Sequence, residues 1–113
     1  MRAPQDLYSA TVHNALSQQI ETRVTYKISG VTQVESATLQ PGQSHTFEQR
    51  TEQAGTMHIT GVIERVDVSA EGGVTIDVEA PFPGITSPTR ALKIAVETRD
   101  GKTVVYGGSY LWG

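Results

Sequence analysis

A chain of 113 residues, 37% hydrophobic and 19% charged, is long enough for one folded domain and too apolar for the disordered class. Its formal net charge is −3 and its nine Lys and Arg residues are spread singly, which excludes the clustered cations that nucleic acid binding needs. It has no cysteine, which excludes disulfides, thiolate metal sites and thiol nucleophiles, and apolar runs such as Val104-Val105-Tyr106 fall far short of the roughly 20 residues that cross a bilayer.

Met1 to Asp6 carries no apolar stretch of the signal-peptide kind. The only asparagine, Asn14, is followed by Ala15-Leu16 and forms no glycosylation sequon. The first expected strand is Tyr8 to Asn14, with a single helical turn possible over Asn14 to Gln19. From Gln19 to Ile28 the period becomes two: Ile20, Thr22, Val24, Tyr26 and Ile28 share one face, and Gln19, Glu21, Arg23, Thr25 and Lys27 share the other. A half-buried antiparallel strand produces this pattern, because successive side chains point to opposite faces.

Further strands are expected at Val34 to Leu39 and His45 to Arg50. Between them, Gln40-Pro41-Gly42-Gln43 suits a type II turn. In Thr56 to Ser69 the parity breaks: Met57, Ile59 and Ile63 are odd-numbered, whereas Val66 and Val68 are even. One extra residue near Glu64 or Arg65, a β-bulge, restores a single buried face. Glu71-Gly72-Gly73 signals a hairpin leading to a strand with Val74, Ile76 and Val78 inward. Leu92, Ile94 and Val96 mark another.

The register of the last hairpin decides where the C-terminal aromatics lie. A two-residue turn at Asp100-Gly101 pairs Val96 with Val105 and leaves Tyr106, Tyr110 and Trp112 opposite the Leu92, Ile94 and Val96 face. A three-residue Arg99-Asp100-Gly101 loop with a G1 bulge pairs Val96 with Val104 and gathers all these residues on one face. The second gives the cleaner amphipathic sheet and is the expected one. Gly107-Gly108 then marks a bulge, or the floor of a groove.

Catalytic constellations are absent from the pattern. No serine sits in a G-x-S-x-G elbow, and no glycine-rich phosphate loop opens a helix. His13, His45 and His58 show no short ligand spacing, although His45 and His58 could share a sheet face and begin a metal site. Asp67, Glu71, Asp77 and Glu79 surround one turn and could hold calcium, without a D-x-D-x-D-G loop. The apolar residues of Pro81-Phe82-Pro83-Gly84-Ile85-Thr86-Ser87-Pro88 either fold back over the sandwich or form a presented tip. A tip of Phe82 and Ile85 is worth roughly 3–6 kcal/mol, about millimolar binding, unless an oligomer repeats it.

The fold expected is a single all-β domain over residues 1–113, an antiparallel two-sheet sandwich of about seven or eight strands, immunoglobulin-like or jelly-roll-like. Leu39-Gln40-Pro41-Gly42-Gln43-Ser44, followed by Phe47, resembles the strand–turn–strand of many immunoglobulin-like accessory domains, a resemblance that implies fold and not function. The function expected is a non-enzymatic binding or assembly module acting through protein–protein contact, with self-association. The alternative is a carbohydrate- or membrane-surface-binding module using Phe82, Ile85, Tyr106, Tyr110 and Trp112. A second alternative is a metal-binding or hydrolytic domain working through His45 and His58. No cofactor and no nucleic acid partner are expected.

Overall fold

The computed structural model describes residues 6–70 and 73–113. Its strands in chain order are β1 (Ala10–Asn14), β2 (Ile20–Ile28), β3 (Val31–Leu39), β4 (Ser44–Phe47), β5 (Thr51–Ala54), β6 (Met57–Thr60), β7 (Val62–Ala70), β8 (Thr75–Glu79), β9 (Leu92–Arg99), β10 (Lys102–Gly107) and β11 (Tyr110–Leu111). Two sheets, ordered β11-β10-β9-β1-β4 and β3-β2-β7-β8, pack into a sandwich, while β5 and β6 pair only with each other. The all-β two-sheet sandwich is thus present, with eleven strands among the described residues rather than seven or eight. The additions are the β5–β6 ribbon, which the sequence disguises with four exposed polar and small residues in β5, and the two-residue β11. Pairing is antiparallel except between β1 and β9, which run parallel.

β2 behaves as its alternation demands. Ile20, Thr22, Val24, Tyr26 and Ile28 are buried, and β2 pairs with β3 on one side and β7 on the other. The parity break in β7 is a bulge at Glu64: Thr25 faces Arg65 and Tyr26 faces Ile63, so Glu64 has no opposite residue. The bulge turns Ile63, Val66, Val68 and Ala70 onto one buried face. The Gln40–Gln43 turn closes as expected, Gln43 N–H donating to the Gln40 carbonyl at 3.0 Å.

Over Asn14 to Gln19 there is no helical turn: β1 ends at Asn14 and Leu16 to Gln18 form bends. Asn14 competes with the helix there. Its buried side chain donates to the carbonyls of Gln18 and Leu39 and accepts from Leu16 N–H, replacing the backbone bonds that a helix would supply.

The last hairpin takes the register opposite to the one expected. Arg99 faces Lys102, Val96 faces Val105 and Ala95 faces Tyr106. The physical reason is turn chemistry: Asp100 and Gly101 both have positive φ, 51° and 76°, as a two-residue type I′ turn requires. Amphipathicity survives because Val105 takes the inward place assigned to Val104. Tyr106 therefore lies on the outer face, where the Arg99 guanidinium sits 5.1 Å from its ring centre.

Trp112 does not follow Tyr106 outward. The chain reverses after Gly107, and the indole stacks on Phe82 with ring centres 4.8 Å apart and donates Nε1–H to the Pro83 carbonyl at 3.0 Å. Gly107 makes this possible, since a Cβ built there would clash with the indole ring. Phe82 and Ile85 are buried with it. The Pro81–Pro88 segment folds back over the sandwich, so the presented apolar tip is not formed. The Glu71-Gly72 part of the predicted turn lies outside the described residues.

Candidate functional site

The opposite side of the sandwich is built differently. There the edges of the two sheets, β3 and β4, run near each other after the Gln40–Gln43 turn carries the chain across. β3 has β2 on one side only, and among the described residues no strand pairs with its other edge. Its inward positions are set by register with β2: Val31, Gln33, Glu35, Ala37 and Leu39 face the buried residues Ile28, Tyr26, Val24, Thr22 and Ile20. Two of these inward positions are polar. Polar side chains pointing inward are a mark of an edge strand, because a central strand would have to desolvate them.

A hydrogen-bonded seam satisfies them. Arg50, just beyond β4, donates Nη1–H to Gln33 Oε1 at 2.9 Å and Nη2–H to Glu35 Oε1 at 2.8 Å. His45 Nε2 lies 2.8 Å from the other Glu35 oxygen, and an ionised carboxylate only accepts, so Nε2 carries the proton. The guanidinium also covers the Tyr26 ring, 4.8 Å from its centre, and Tyr26 donates its hydroxyl proton to the Glu48 carbonyl at 2.9 Å. His45 packs edge-on against Phe47.

The electrostatics follow from this placement. Burial raises the Glu35 carboxyl, but the His45 and Arg50 hydrogen bonds and charges outweigh it, and the net shift is below the usual carboxylate range. The Tyr26 phenol is pushed up, first by burial and then by the nearby Glu35 charge. Beside the seam lies an open groove of about 690 Å³, floored by Ile28 and Val31 and walled by Glu35, Glu48, Arg50 and Glu52. Val31 points inward yet remains 57% exposed, because none of the described residues covers it.

The outward positions of β3 are Thr32, Val34, Ser36 and Thr38, with no charge among them. Val34 is 55% exposed. The Ser29-Gly30 turn is a two-residue turn in which both residues have positive φ, and Ile28 and Val31 flank it. In such a hairpin the flanking pair exchanges hydrogen bonds, so odd-numbered β3 residues bond to β2. The N–H and C=O groups of Thr32, Val34, Ser36 and Thr38 then point away from the sheet.

The residues singled out from sequence lie elsewhere. Phe82, Ile85 and Trp112 belong to the core, Tyr106 is half-buried under Arg99, and only Tyr110 among the five is exposed. Tyr110 nonetheless covers Gly84, where a Cβ would meet its ring. His45 and His58 are not brought together: His45 is held by Glu35, and His58 faces Gln53 on the ribbon. Among the described residues no three His, Asp or Glu side chains are placed to hold a metal ion. Asp67, Asp77 and Glu79 converge on Arg65, at 2.7, 3.3 and 3.4 Å, so a guanidinium fills the place considered for calcium, and Glu71 lies outside the described residues. Arg50, Glu35 and Gln33 were not anticipated. Their signal was the inversion in Val31 to Leu39, with polar residues at inward positions and uncharged β-formers outward. Neither a protein-family model nor a curated protein matches the chain.

Proposed function

We propose that this domain is a non-enzymatic protein-binding module that takes an extended chain segment against the free edge of β3. The observation that supports it best is the edge itself: nine residues, one charge, no Pro or Gly, and a row of backbone donors and acceptors without strand partners among the described residues. Long flat edges pair with other strands unless they are blocked by charge, Pro, bulges or short length. The other edge of the same sheet, β8, has five residues and carries Asp77 and Glu79. Recognition by strand addition uses main-chain hydrogen bonds for affinity and alternate side-chain pockets for selectivity. The groove beside Val31, Gln33 and Glu35 supplies such a pocket. We also read the sandwich as immunoglobulin-like, its four and five strands corresponding in number to the nine-strand form of that architecture.

A carbohydrate- or membrane-surface role has less support, because three of its five proposed contact residues are interior. A metal-dependent or hydrolytic role through His45 and His58 has less again, with the two side chains on separate sheets and His45 already engaged.

The test uses a synthetic nine-residue peptide of the β3 sequence, Val31 to Leu39, as a generic extended probe. Amide exchange is read at Thr32, Val34, Ser36 and Thr38. Slowed exchange at these amides with added peptide or with rising protein concentration, lost in Val34→Pro, is the expected result. Unchanged exchange under both conditions overturns the proposal.

A further inference from the structure

Resting on the reading of β3 as a binding edge, we infer that its partner is a second copy of this chain, joined β3 to β3 antiparallel about a two-fold axis at Val34. Two sheets of four strands would then become one of eight.

Backbone parity restricts the possibilities. Only Thr32, Val34, Ser36 and Thr38 present free N–H and C=O groups, so a self-complementary pairing must match even-numbered residues with even-numbered ones. Five registers put the axis within two residues of the middle of β3, and those at Ser36 and Ala37 set each Glu35 against the partner's Ala37 or the partner's Leu39, with no polar neighbour across the junction. An axis at Glu35 sets two carboxylates directly opposite each other, which is unfavourable. An axis at Gln33 sets inward Val31 against the partner's inward Glu35. An axis at Val34 sets the exposed valine against its own copy, Thr32 against Ser36, and Gln33 against Glu35.

The last arrangement is complementary in charge as well as shape. Arg50 already spans Gln33 and Glu35 in its own chain. In this register each Gln33 lies beside the other copy's Glu35, so each guanidinium has a carboxylate on both sides and the seam continues across the axis. On the outer face the β2 neighbours of Thr32, Val34 and Ser36 are Lys27, Thr25 and Arg23. These cations sit one strand back from the junction, and the contact row itself carries no charge.

The absence of cysteine makes the register directly readable. In Val34→Cys the two Cα atoms would lie about 5.5 Å apart, within disulfide range. In Ser36→Cys the equivalent atoms would be four residues apart along the strands, roughly 13 Å, and beyond it. Under mild oxidation Val34→Cys is expected to form covalent dimer and Ser36→Cys to remain monomeric. Sedimentation velocity of the full chain is expected to show dimer formation that weakens at least tenfold in Val34→Lys, which sets two ammonium groups against each other at the axis.

Preferential crosslinking of Ser36→Cys over Val34→Cys overturns the proposed axis. A full chain that stays monomeric at all concentrations, while the Val31 to Leu39 peptide still protects the β3 amides, overturns the second copy as partner and leaves the binding edge standing. Failure of both dimer and peptide removes the edge reading together with this one.

Discussion

The end of the sandwich beneath Trp112 and the side along β3 solve the same problem with opposite materials. At the end, three large side chains close the gap: Trp112 stacks on Phe82, Ile85 fills in beside them, and Gly107 lets the indole touch backbone. Along the side, the Tyr26 hydroxyl reaches the Glu48 carbonyl and the remaining contacts are polar. The gap is spanned by His45, Glu35, Arg50 and Gln33, and a groove remains open beside them. In the first region side-chain packing fills the space. The hydrogen-bonded seam keeps the second at the surface with a strand edge free to pair. On the function proposed above, the contrast separates stability from binding within one small domain.

The largest effect is expected where packing is dry. Trp112→Ala removes the stack on Phe82 and the hydrogen bond to Pro83, and should cost about 3–5 kcal/mol in urea denaturation. Gly107→Ala should be comparably damaging although it adds only a methyl group, because that carbon would clash with the indole ring. If either change were tolerated within about 1 kcal/mol, the end would be looser than its geometry implies.

Much of this architecture was legible in the chain. The alternation in Ile20 to Ile28 needed only the two-residue period of a strand, and the parity break placed the bulge at Glu64. At the Asp100-Gly101 hairpin two rules conflict. Amphipathic grouping favoured three loop residues, whereas a dipeptide that accepts positive φ twice favours two. Turn chemistry won, since sliding by one residue cost nothing once Val105 could replace Val104. The seam was not legible. Glu35, His45 and Arg50 are brought together by the crossing from β3 to β4, and no local period records which edges come to face each other. The inward Gln33 and Glu35 are the available signal, but the strand expected from sequence begins at Val34 and leaves Gln33 outside it.

Breaking the seam should cost less than breaking the packed end. Arg50→Ala removes two hydrogen bonds to side chains and the cation above Tyr26, for an expected loss of about 1–2 kcal/mol at neutral pH. Glu35 adds an acid signature. Its carboxyl is held below the usual range in the folded state, so its contribution is present above the unfolded pKa and is lost as pH falls through the folded one. Wild-type stability should therefore drop below about pH 4 more steeply than that of Glu35→Gln. Equal slopes in the two proteins would mean that the seam does not hold the charge.

Tyr26 gives a smaller test at the other end of the pH scale. Its phenol is raised by burial and by Glu35, so the neutral form is the one that fits the fold. That contribution is present below the unfolded phenol pKa of about 10 and is lost as pH rises through the folded value. Tyr26→Phe forfeits the bond to the Glu48 carbonyl, about 1 kcal/mol near neutrality, and should flatten the alkaline limb of the stability profile.

The smallest change in stability is expected where binding is proposed. Val34 is more than half exposed on the outer face of an edge strand, with Thr25 as its one strand neighbour among the described residues. Val34→Lys removes little buried area, and its ammonium group can extend into water, so the unfolding free energy from urea denaturation should change by no more than about 0.5 kcal/mol. The same substitution places a charge where an incoming strand must lie flat, and association should suffer while folding does not. A loss of stability matching the loss of association would mean that Val34 supports the monomer. The division between a sealed end that holds the fold and an open side that meets partners would then fail at the residue on which it depends most.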